Sequence, residues 1–318
     1  MNKEAALICT TLNCRDELDS SLEIFTAQRN LEMLKEIIIV DGGSRDGTWE
    51  LLIKWSQKVS KLKIRQVPGA NISRGRNEAI RMADADIVVG FDSGTKYNDD
   101  WLELMLKPFE DEEVSIVGGL TICCGSGLFA QCLAAFKDEP RAAIQPSHRG
   151  IAFYKKVWEK IGGYPEHVAA GEDTWFNTQS MKLGYKYVNV PEAKNFWEVR
   201  NSWKGVLKMQ RRNAKGHIIL AEPFGTAQMF LIALIYPFML LCAICGFFEH
   251  KIWYAALVLY AVYLAKRMFG KNRWRIFMNP VKFAVGFYAL TGFDIGMTIG
   301  VLEGSILFLK NKIINKTT

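Results

Sequence analysis

The stretch Ile37-Ile-Ile-Val-Asp-Gly-Gly-Ser-Arg-Asp-Gly-Thr48 decides the fold of this chain. Its apolar, β-branched half predicts a buried parallel strand, and its glycine-rich half predicts the loop at the carboxyl end of that strand. Residues 49–59 then predict a helix. Ligands of open α/β sheets bind beyond the carboxyl ends of the strands. Asp41 therefore lies where a nucleotide or a sugar hydroxyl would bind, with Gly43 in the close-approach loop beside it.

The same pattern of strand, polar loop and helix recurs on both sides of this stretch. Residues 5–11 form an apolar strand that is followed by Asn13, and residues 86–91 form another that is followed by Asp92. Carboxylates and hydroxyls at three strand ends would converge on one crevice. We predict an α/β fold with a mostly parallel, Rossmann-like sheet and helices on both faces.

Residues 71–80 begin a helix that carries arginines in its first turn. Ser73 is the expected N-cap. Arg74 and Arg76 follow it, although a cation at a helix start opposes the macrodipole. An anionic ligand that holds one of them would explain this placement, and a surface-exposed arginine is the alternative.

The last third of the chain is apolar enough to enter a membrane. Residues 226–246 carry no charge and are long enough to cross a hydrocarbon core of roughly 30 Å at about 1.5 Å per residue. Residues 251–266 would complete a hairpin. Residues 281–309 form either one long tilted helix or two short helices that turn back, and they carry Asp294 and Glu303, which suit an interhelical hydrogen bond or a lipid head group.

The charges predict an orientation and three regions. The loop 266–275 is basic and has no acid, so the positive-inside rule places it in the cytosol with the amino-terminal part. Residues 1–198 would form the catalytic domain and residues 223–318 the transmembrane region. Residues 199–222 form a basic amphipathic helix that is typical of an anionic lipid surface. Nucleic acid is not an expected partner, because these bases directly precede a membrane span.

Cysteine and histidine patterns predict no further chemistry. The seven cysteines have no repeating spacing, and the four histidines are scattered. A disulfide framework, a redox pair or a histidine-rich metal cluster is therefore not expected.

The motifs, taken in order, resemble glycosyltransferase family 2. They are Thr10-Thr-x-Asn13, Val40-Asp-Gly-Gly-Ser44, Arg76-Asn77 in a helix, the turn that begins at Asp92, and Gly171-Glu-Asp173. The resemblance covers about residues 4–217. It implies a GT-A nucleotide-sugar-binding domain that inverts the anomeric centre, and its membrane segments are similar to those of members that act on polyprenyl-linked or dolichyl-linked acceptors.

The resemblance also implies where the donor binds. The expected nucleotide contacts are Thr10, Thr11, Asn13, Asp41, Gly43, Arg76, Asn77, Asp92 and Ser93. Asp92 matches the first acid of an Asp-x-Asp motif for Mg²⁺ or Mn²⁺, but the third position of the motif is Gly94 here. Asp92 alone could hold a hydrated Mg²⁺. Alternatively, Lys96 could neutralise the diphosphate in place of a metal. Arg211 or Arg212 matches an arginine that relatives place at a phosphate.

Asp173 is the expected general base, which would take the proton of the acceptor hydroxyl. Glu172 is the alternative, and a pair of acids that only caps the helix 174–183 is the non-catalytic interpretation. If the acceptor is a phosphate, the nucleophile is already ionised, and Asp173 would instead position the phosphate or the sugar.

These features together predict a membrane-bound inverting glycosyltransferase with its catalytic domain in the cytosol. It would move a sugar from a UDP- or GDP-linked donor to a polyprenyl phosphate, a dolichyl phosphate or a lipid-linked saccharide. A processive polysaccharide synthase is one alternative, although such an enzyme would carry a tryptophan in the motif that this chain replaces with Gln210-Arg-Arg-Asn213. A membrane scaffold or sugar-nucleotide sensor with a decayed site is the other, and only Gly94 favours it.

Overall fold

The computed structural model describes residues 4–28, 31–137, 146–222, 226–270 and 273–317. The chain divides into two compact units. The first comprises Met1–Ile122 and Pro140–Trp197, and the second comprises Cys123–Glu139 and Glu198–Thr318.

A mixed eight-stranded sheet forms the centre of the first unit. Its strands are β1 (Ala5–Thr11), β2 (Leu34–Asp41), β3 (Leu62–Gln66), β4 (Ile87–Gly90), β5 (Thr95–Tyr97), β6 (Val114–Cys124), β7 (Ile151–Tyr154) and β8 (Lys186–Glu198). Their order is β3-β2-β1-β4-β7-β6-β8-β5. Strands β1 to β4 pair in parallel, whereas β7 runs antiparallel to both β4 and β6, and β5 runs antiparallel to β8.

The two units also contain α-helices. They are α1 (Arg15–Thr26), α2 (Thr48–Lys58), α3 (Ile72–Met82), α4 (Trp101–Leu106), α5 (Leu128–Lys137), α6 (Lys155–Ile161), α7 (Glu172–Lys182), α8 (Trp203–Ile219), α9 (Thr226–Cys245), α10 (Lys251–Phe269), α11 (Trp274–Phe277) and α12 (Pro280–Thr317). Short 3-10 helices lie at Leu31–Met33, Lys107–Glu110 and His148–Gly150.

The central strands are buried on both faces, as their continuous apolar runs require. In β1, Leu7 packs in one apolar cluster with residues of α1 and α4, whereas Ile8 packs in a second cluster with residues of α3, α6 and α7. Alternate residues of one strand therefore contact helices on opposite faces of the sheet. The predicted α/β class, with helices on both faces, is confirmed.

One predicted helix cap is wrong. The side chain of Asn71 accepts a hydrogen bond from the backbone N–H of Arg74 at 2.9 Å, so Asn71 is the N-cap of α3. Ser73 lies inside the helix and is fully buried. Asn71 comes first in the chain and is as good an N-cap as serine, and its amide also donates to the Glu166 and Val168 carbonyls.

The second unit is helical and apolar. Among its described residues, three helices are long and apolar enough to cross a membrane: Thr226–Cys245, Lys251–Phe269 and Pro280–Ile313, with mean hydropathies of 2.2, 1.3 and 1.5. The third predicted span is one continuous helix rather than two short helices that turn back.

The basic helix α8 packs along α12 through a row of glycines. A Cβ atom on Gly296 would lie 2.5 Å from the carbonyl oxygen of Leu207, and one on Gly300 would lie 2.3 Å from that of Arg211. Only glycine permits such close approach of two helix backbones. One face of α8 is therefore buried against α12, and the predicted contact of this helix with a lipid surface applies to its remaining face.

Both acids of α12 form interhelical ion pairs. Asp294 is fully buried and contacts Arg267 of α10 at 2.9 Å, and it also accepts a hydrogen bond from the Tyr263 hydroxyl. Glu303 pairs with Arg211 of α8. Asp294 and Glu303 therefore form interhelical contacts, which is the first of the two roles predicted for them. Contact with a lipid head group is the other.

Candidate active site

The loops that follow β1 and β2 are tied together at the carboxyl edge of the parallel strands. Thr11 and Asp41 lie opposite each other in the ladder, and the Thr11 hydroxyl donates to the Asp41 carboxylate at 3.2 Å. The Ser44 hydroxyl accepts from the backbone N–H of Asn13 at 2.8 Å, and the Asn13 side chain accepts from the N–H of Arg45 at 2.8 Å. Asn13 adopts a positive φ of 50°, a conformation that asparagine tolerates better than most residues.

Asp41 holds the shape of this loop. Its carboxylate accepts from the backbone N–H groups of Gly43 and Ser44 at 3.0 and 2.9 Å, from the Ser44 hydroxyl at 2.5 Å and from the Gln66 amide at 2.9 Å. Burial alone would raise the pKa of Asp41, but the hydrogen bonds from Ser44, Gln66 and Gly43 outweigh it and lower the pKa. Asp41 is therefore an anion that organises the proposed nucleoside-binding loop.

Arg76 lies at the centre of a cluster of acids. It projects from α3 and is 1% exposed, and it forms ion pairs with Glu172 at 2.7 Å, with Asp92 at 3.4 Å and with Asp173. The helix can lie this close to β1 because residue 75 is glycine, since a Cβ there would lie 2.8 Å from Cγ2 of Thr10. The anion expected to hold Arg76 is thus provided by the chain's own carboxylates, whereas Arg74 is exposed.

The two predicted acids of α7 have different environments. The Glu172 side chain is 6% exposed, whereas that of Asp173 is 27% exposed. One Asp173 oxygen contacts Arg76, and the other accepts from the backbone N–H of His148 at 3.2 Å. Neither side chain caps α7, whose N-cap is Gly171 in a left-handed conformation. Because proton transfer requires access to the substrate, the geometry favours Asp173 over Glu172 as a base.

Burial shifts the pKa values of Glu172 and His148 in opposite directions. Desolvation and the nearby Asp173 charge raise the pKa of Glu172 to about 7. Burial, together with the Arg76 charge, lowers the pKa of His148 to about 3, so its ring is neutral near pH 7. Neutral His148 packs tightly beside Gly90, where a Cβ would lie 2.3 Å from the histidine carbonyl oxygen. His148 thus holds its backbone N–H against Asp173.

Asp92 follows β4 and lies between two arginines. One carboxylate oxygen contacts Arg76, and the other contacts Arg149 at 3.2 Å. Burial would raise the pKa of Asp92, but the Arg149 and Arg76 charges lower it. The Ser93 hydroxyl lies 3.4 Å from the Cys14 sulfur, which places this turn beside the loop after β1.

Asn77 was expected to contact the nucleotide, but its side chain is buried inside the protein. It is 2% exposed, and its amide NH₂ donates to the Tyr164 carbonyl and to Glu166 at 2.9 and 2.8 Å. Its oxygen accepts from the Trp158 indole and from the Tyr164 N–H. All hydrogen-bonding positions of the amide are therefore used inside the protein. Asn77 fixes the segment before α7 and has no group left for a nucleotide.

The remaining residues that were predicted to contact a phosphate are exposed at the surface. Lys96 is exposed on the short strand β5, and side-chain alternation places it on the face opposite to Thr95 and Tyr97. Arg211 and Arg212 are exposed on α8, and Arg211 is paired with Glu303. Among the residues that the structure describes, none of these three lies in a phosphate-binding arrangement within its own unit.

The residues around Asp92 do not form a metal site with two carboxylate ligands. Gly94 supplies no carboxylate and lies at a positive φ of 77°, where its N–H donates to the Ser21 hydroxyl at 2.9 Å. Both Asp92 oxygens already contact guanidinium groups. Within the part of the chain that the structure describes, no three His, Cys, Asp or Glu side chains are grouped to hold a metal ion.

Several site residues gave no recognisable signal in the sequence. Gln66 donates to the Asp41 carboxylate from β3, while His148 and Arg149 lie just before β7. Since β7 is antiparallel to β4, its amino end adjoins the carboxyl end of β4. A prediction of that antiparallel pairing would have directed attention to residues 148 and 149.

Comparison with known proteins agrees with this geometry. The model of the family described as glycosyl transferase family 2 matches residues 6–186, which is more than half of the chain. Glycosyltransferase AglE of Haloferax volcanii is 25% identical over 242 residues, which are 72% of this chain and 78% of the relative. O-antigen chain rhamnosyltransferase WbaN of Salmonella anatum is 24% identical over 183 residues, which are 52% of this chain and 57% of the relative.

A solved structure shares the fold. Mannosyltransferase PcManGT from Pyrobaculum calidifontis, in complex with GDP-Man and Mn²⁺, superposes with a TM-score of 0.64 at 19% identity. The match covers 94% of this chain and 86% of that protein. This likeness supports the GT-A architecture, and the family match extends across the loops that carry Asp41, Arg76, Asp92 and Asp173. The chain therefore belongs to glycosyl transferase family 2.

Proposed function

We propose that this glycosyltransferase moves a sugar from a UDP- or GDP-linked donor to a hydroxyl of a lipid-linked saccharide by a single inverting displacement. The donor would bind across the loops around Asp41 and Asp92 at the carboxyl edge of the sheet. The observation that carries the proposal is the Asp173 carboxylate, which is held by Arg76 and by the His148 N–H and is still partly exposed.

Asp173 suits the role of general base in this reaction. The hydroxyl would attack the anomeric carbon from the face opposite the departing diphosphate, and its proton would pass to the Asp173 carboxylate. Two fixed contacts restrict the orientation of this side chain before the substrate arrives, so little reorganisation is required at the moment of transfer. Glu172 would act as a positioning residue through Arg76.

A hydroxyl acceptor agrees better with this site than a phosphate acceptor does. Three carboxylates surround Arg76. An anionic phosphate that approached Asp173 would be repelled by it, whereas a hydroxyl would donate a hydrogen bond to it. Polyprenyl phosphate and dolichyl phosphate therefore rank below a lipid-linked saccharide.

A lipid-linked acceptor is supported by the second unit. Its three long apolar helices expose many large side chains, among them Leu231, Leu240, Leu257 and Ile306, at 62 to 68% of their surface. Apolar surface of this extent is stable in a bilayer and not in water. Because the loop 266–275 is basic, we propose that the catalytic unit lies on the cytosolic side.

The test uses the full chain in detergent or lipid nanodiscs. UDP- and GDP-sugars are offered with lipid-linked saccharides and with polyprenyl phosphate, and the lipid product is detected by mass spectrometry. A saccharide extended by one sugar supports the proposal. Transfer to polyprenyl phosphate alone would refute the hydroxyl acceptor, and transfer to water-soluble glycans without any lipid product would refute the lipid-linked acceptor.

A further inference from the structure

We propose that Arg149 binds the diphosphate of the nucleotide-sugar donor and supplies the positive charge that a second acid and its metal ion would otherwise provide. This inference rests on the proposed use of a nucleotide-sugar donor. Its basis is the position of Arg149 next to Asp92, the carboxylate that would begin an Asp-x-Asp motif if residue 94 were an acid.

The topology brings Arg149 to the donor edge of the sheet. Strand β4 ends at Gly90, and its antiparallel neighbour β7 begins at Ile151. The 3-10 turn His148–Gly150 therefore lies beside the loop that carries Asp92. This turn cannot move away easily, because the buried Gly150 lies close to Asn195, whose amide nitrogen would be 2.8 Å from a Cβ at residue 150.

The guanidinium of Arg149 is held in place but has donors to spare. It stacks on the Trp197 ring, with its central carbon 4.5 Å from the ring centroid, and one terminal nitrogen contacts Asp92. Its Nε is buried and has no hydrogen-bond partner among the residues that the structure describes. Arginine has five N–H donors in a planar fork that matches phosphate oxygens. Arg149 can thus keep Asp92 and also bind an oxyanion.

Arg149 and Arg76 differ in the number of carboxylates that neutralise them. Arg76 is shared by Glu172, Asp173 and Asp92, and it is 1% exposed, so it has no charge left over for a ligand. Among the residues that the structure describes, Arg149 forms an ion pair only with Asp92, which it shares with Arg76, and its side chain is 18% exposed. A diphosphate that lost its solvent shell would need a counter-charge here, and Arg149 is the cation that can provide it.

Lys96, the other cation that the sequence offers for the diphosphate, lies on the face of β5 that points away from Arg149. Thr95 pairs with Trp197 and Lys96 pairs with Phe196 in the antiparallel ladder. Paired residues share a face and successive residues alternate, so Lys96 lies on the face opposite to Trp197. Arg149 stacks on the Trp197 side, and Lys96 is therefore separated from the Asp92 and Arg149 pair by the strand itself.

The test measures nucleotide binding in the presence of EDTA, with the full-length protein in detergent. Calorimetric titrations with UDP and GDP are compared with titrations with UMP and GMP, for the parental protein, Arg149→Gln and Arg149→Lys. Arg81→Gln is the matched control, because Arg81 is a half-exposed arginine in the last turn of α3, away from Asp92. Thermal unfolding confirms that each variant is folded.

We expect Arg149→Gln to weaken binding of the diphosphate by roughly 10- to 100-fold, as for loss of a charge-assisted hydrogen bond, and to weaken binding of the monophosphate by less than about 3-fold. Arg149→Lys should retain part of the affinity, and Arg81→Gln should match the parental protein.

Equal losses for diphosphate and monophosphate would overturn the inference, as would unchanged diphosphate binding by Arg149→Gln. Diphosphate binding by the parental protein that appears only when Mn²⁺ or Mg²⁺ is added would also overturn it, since the metal would then be the counter-charge. If the parental protein binds no nucleotide under any of these conditions, it is the proposed donor that fails.

Discussion

Arg76 is the residue whose replacement should reveal most about the site. At about pH 9, well above the pKa of about 7 of Glu172, Arg76→Gln would leave the Glu172 carboxylate without a counter-charge in a side chain that is only 6% exposed. Removing one partner of a buried ion pair costs about 3–5 kcal/mol. Asp173 and Asp92 are about a quarter exposed, and water would compensate most of their loss. For a unit of this size, about 1 kcal/mol lowers Tm by about 2–4 °C, so we expect a decrease of about 6–20 °C.

The assay is thermal unfolding of the detergent-solubilised full chain, followed by tryptophan fluorescence. The double variant Arg76→Gln with Glu172→Gln removes the uncompensated charge and should recover most of the lost Tm. Arg81→Gln removes an equal charge from a half-exposed site and should change Tm by less than about 2 °C. If Arg76→Gln and Arg81→Gln shift Tm equally, or if the double variant is no more stable than Arg76→Gln, the buried acid cluster does not have the energetics argued here.

Two further predictions concern pH and helix packing. Because the pKa of Glu172 is raised from 4.5 to about 7 in the folded protein, the unfolded chain loses this proton first as the pH rises, and stability should fall between these two pH values. Glu172→Gln should flatten that part of a plot of Tm against pH, and an unchanged slope would assign it to other groups. Gly300→Ala should lower the Tm of the second unit, since its Cβ would lie 2.3 Å from the Arg211 carbonyl oxygen. Leu309→Ala, at an exposed position, is the control, and equal effects of the two substitutions would argue against tight packing of α8 on α12.

The parts of the fold that the sequence predicted correctly depend on local patterns. The apolar run that ends at Asp41 is continuous, and so are the runs before Asn13 and Asp92, so the strands and their polar ends could be located without tertiary information. The family resemblance indicates Asp173 as the base, and this role stays a prediction. Each of these features lies within a few residues of its own signal.

The parts that were missed depend on contacts between distant residues. Arg76 and Glu172 are 96 positions apart in the chain, and the Asn77 amide reaches Tyr164 across 87 positions. Motif positions alone could not distinguish an arginine that binds a nucleotide from one that neutralises buried acids. Arg149 was missed because its place follows from the antiparallel half of the sheet, whose strands have no glycine-rich loop at their ends.

The same reasoning applies to the second unit. Composition indicated apolar helices, but it could not show that the glycines of α12 permit close packing of α8. The bases of α8 suggested a helix on a lipid surface, whereas one face of that helix packs against α12.

The central claim is that Asp173 is the base of a sugar transfer to a lipid-linked hydroxyl. The most direct measurement is the single-turnover rate of sugar transfer to the lipid-linked acceptor for the parental protein, Asp173→Asn and Glu172→Gln, each shown to be folded and to bind the donor. Loss of a general base lowers a rate by about 10²- to 10⁴-fold, and we predict a loss in this range for Asp173→Asn and a smaller one for Glu172→Gln. A rate for Asp173→Asn within a few-fold of the parental rate would contradict the claim.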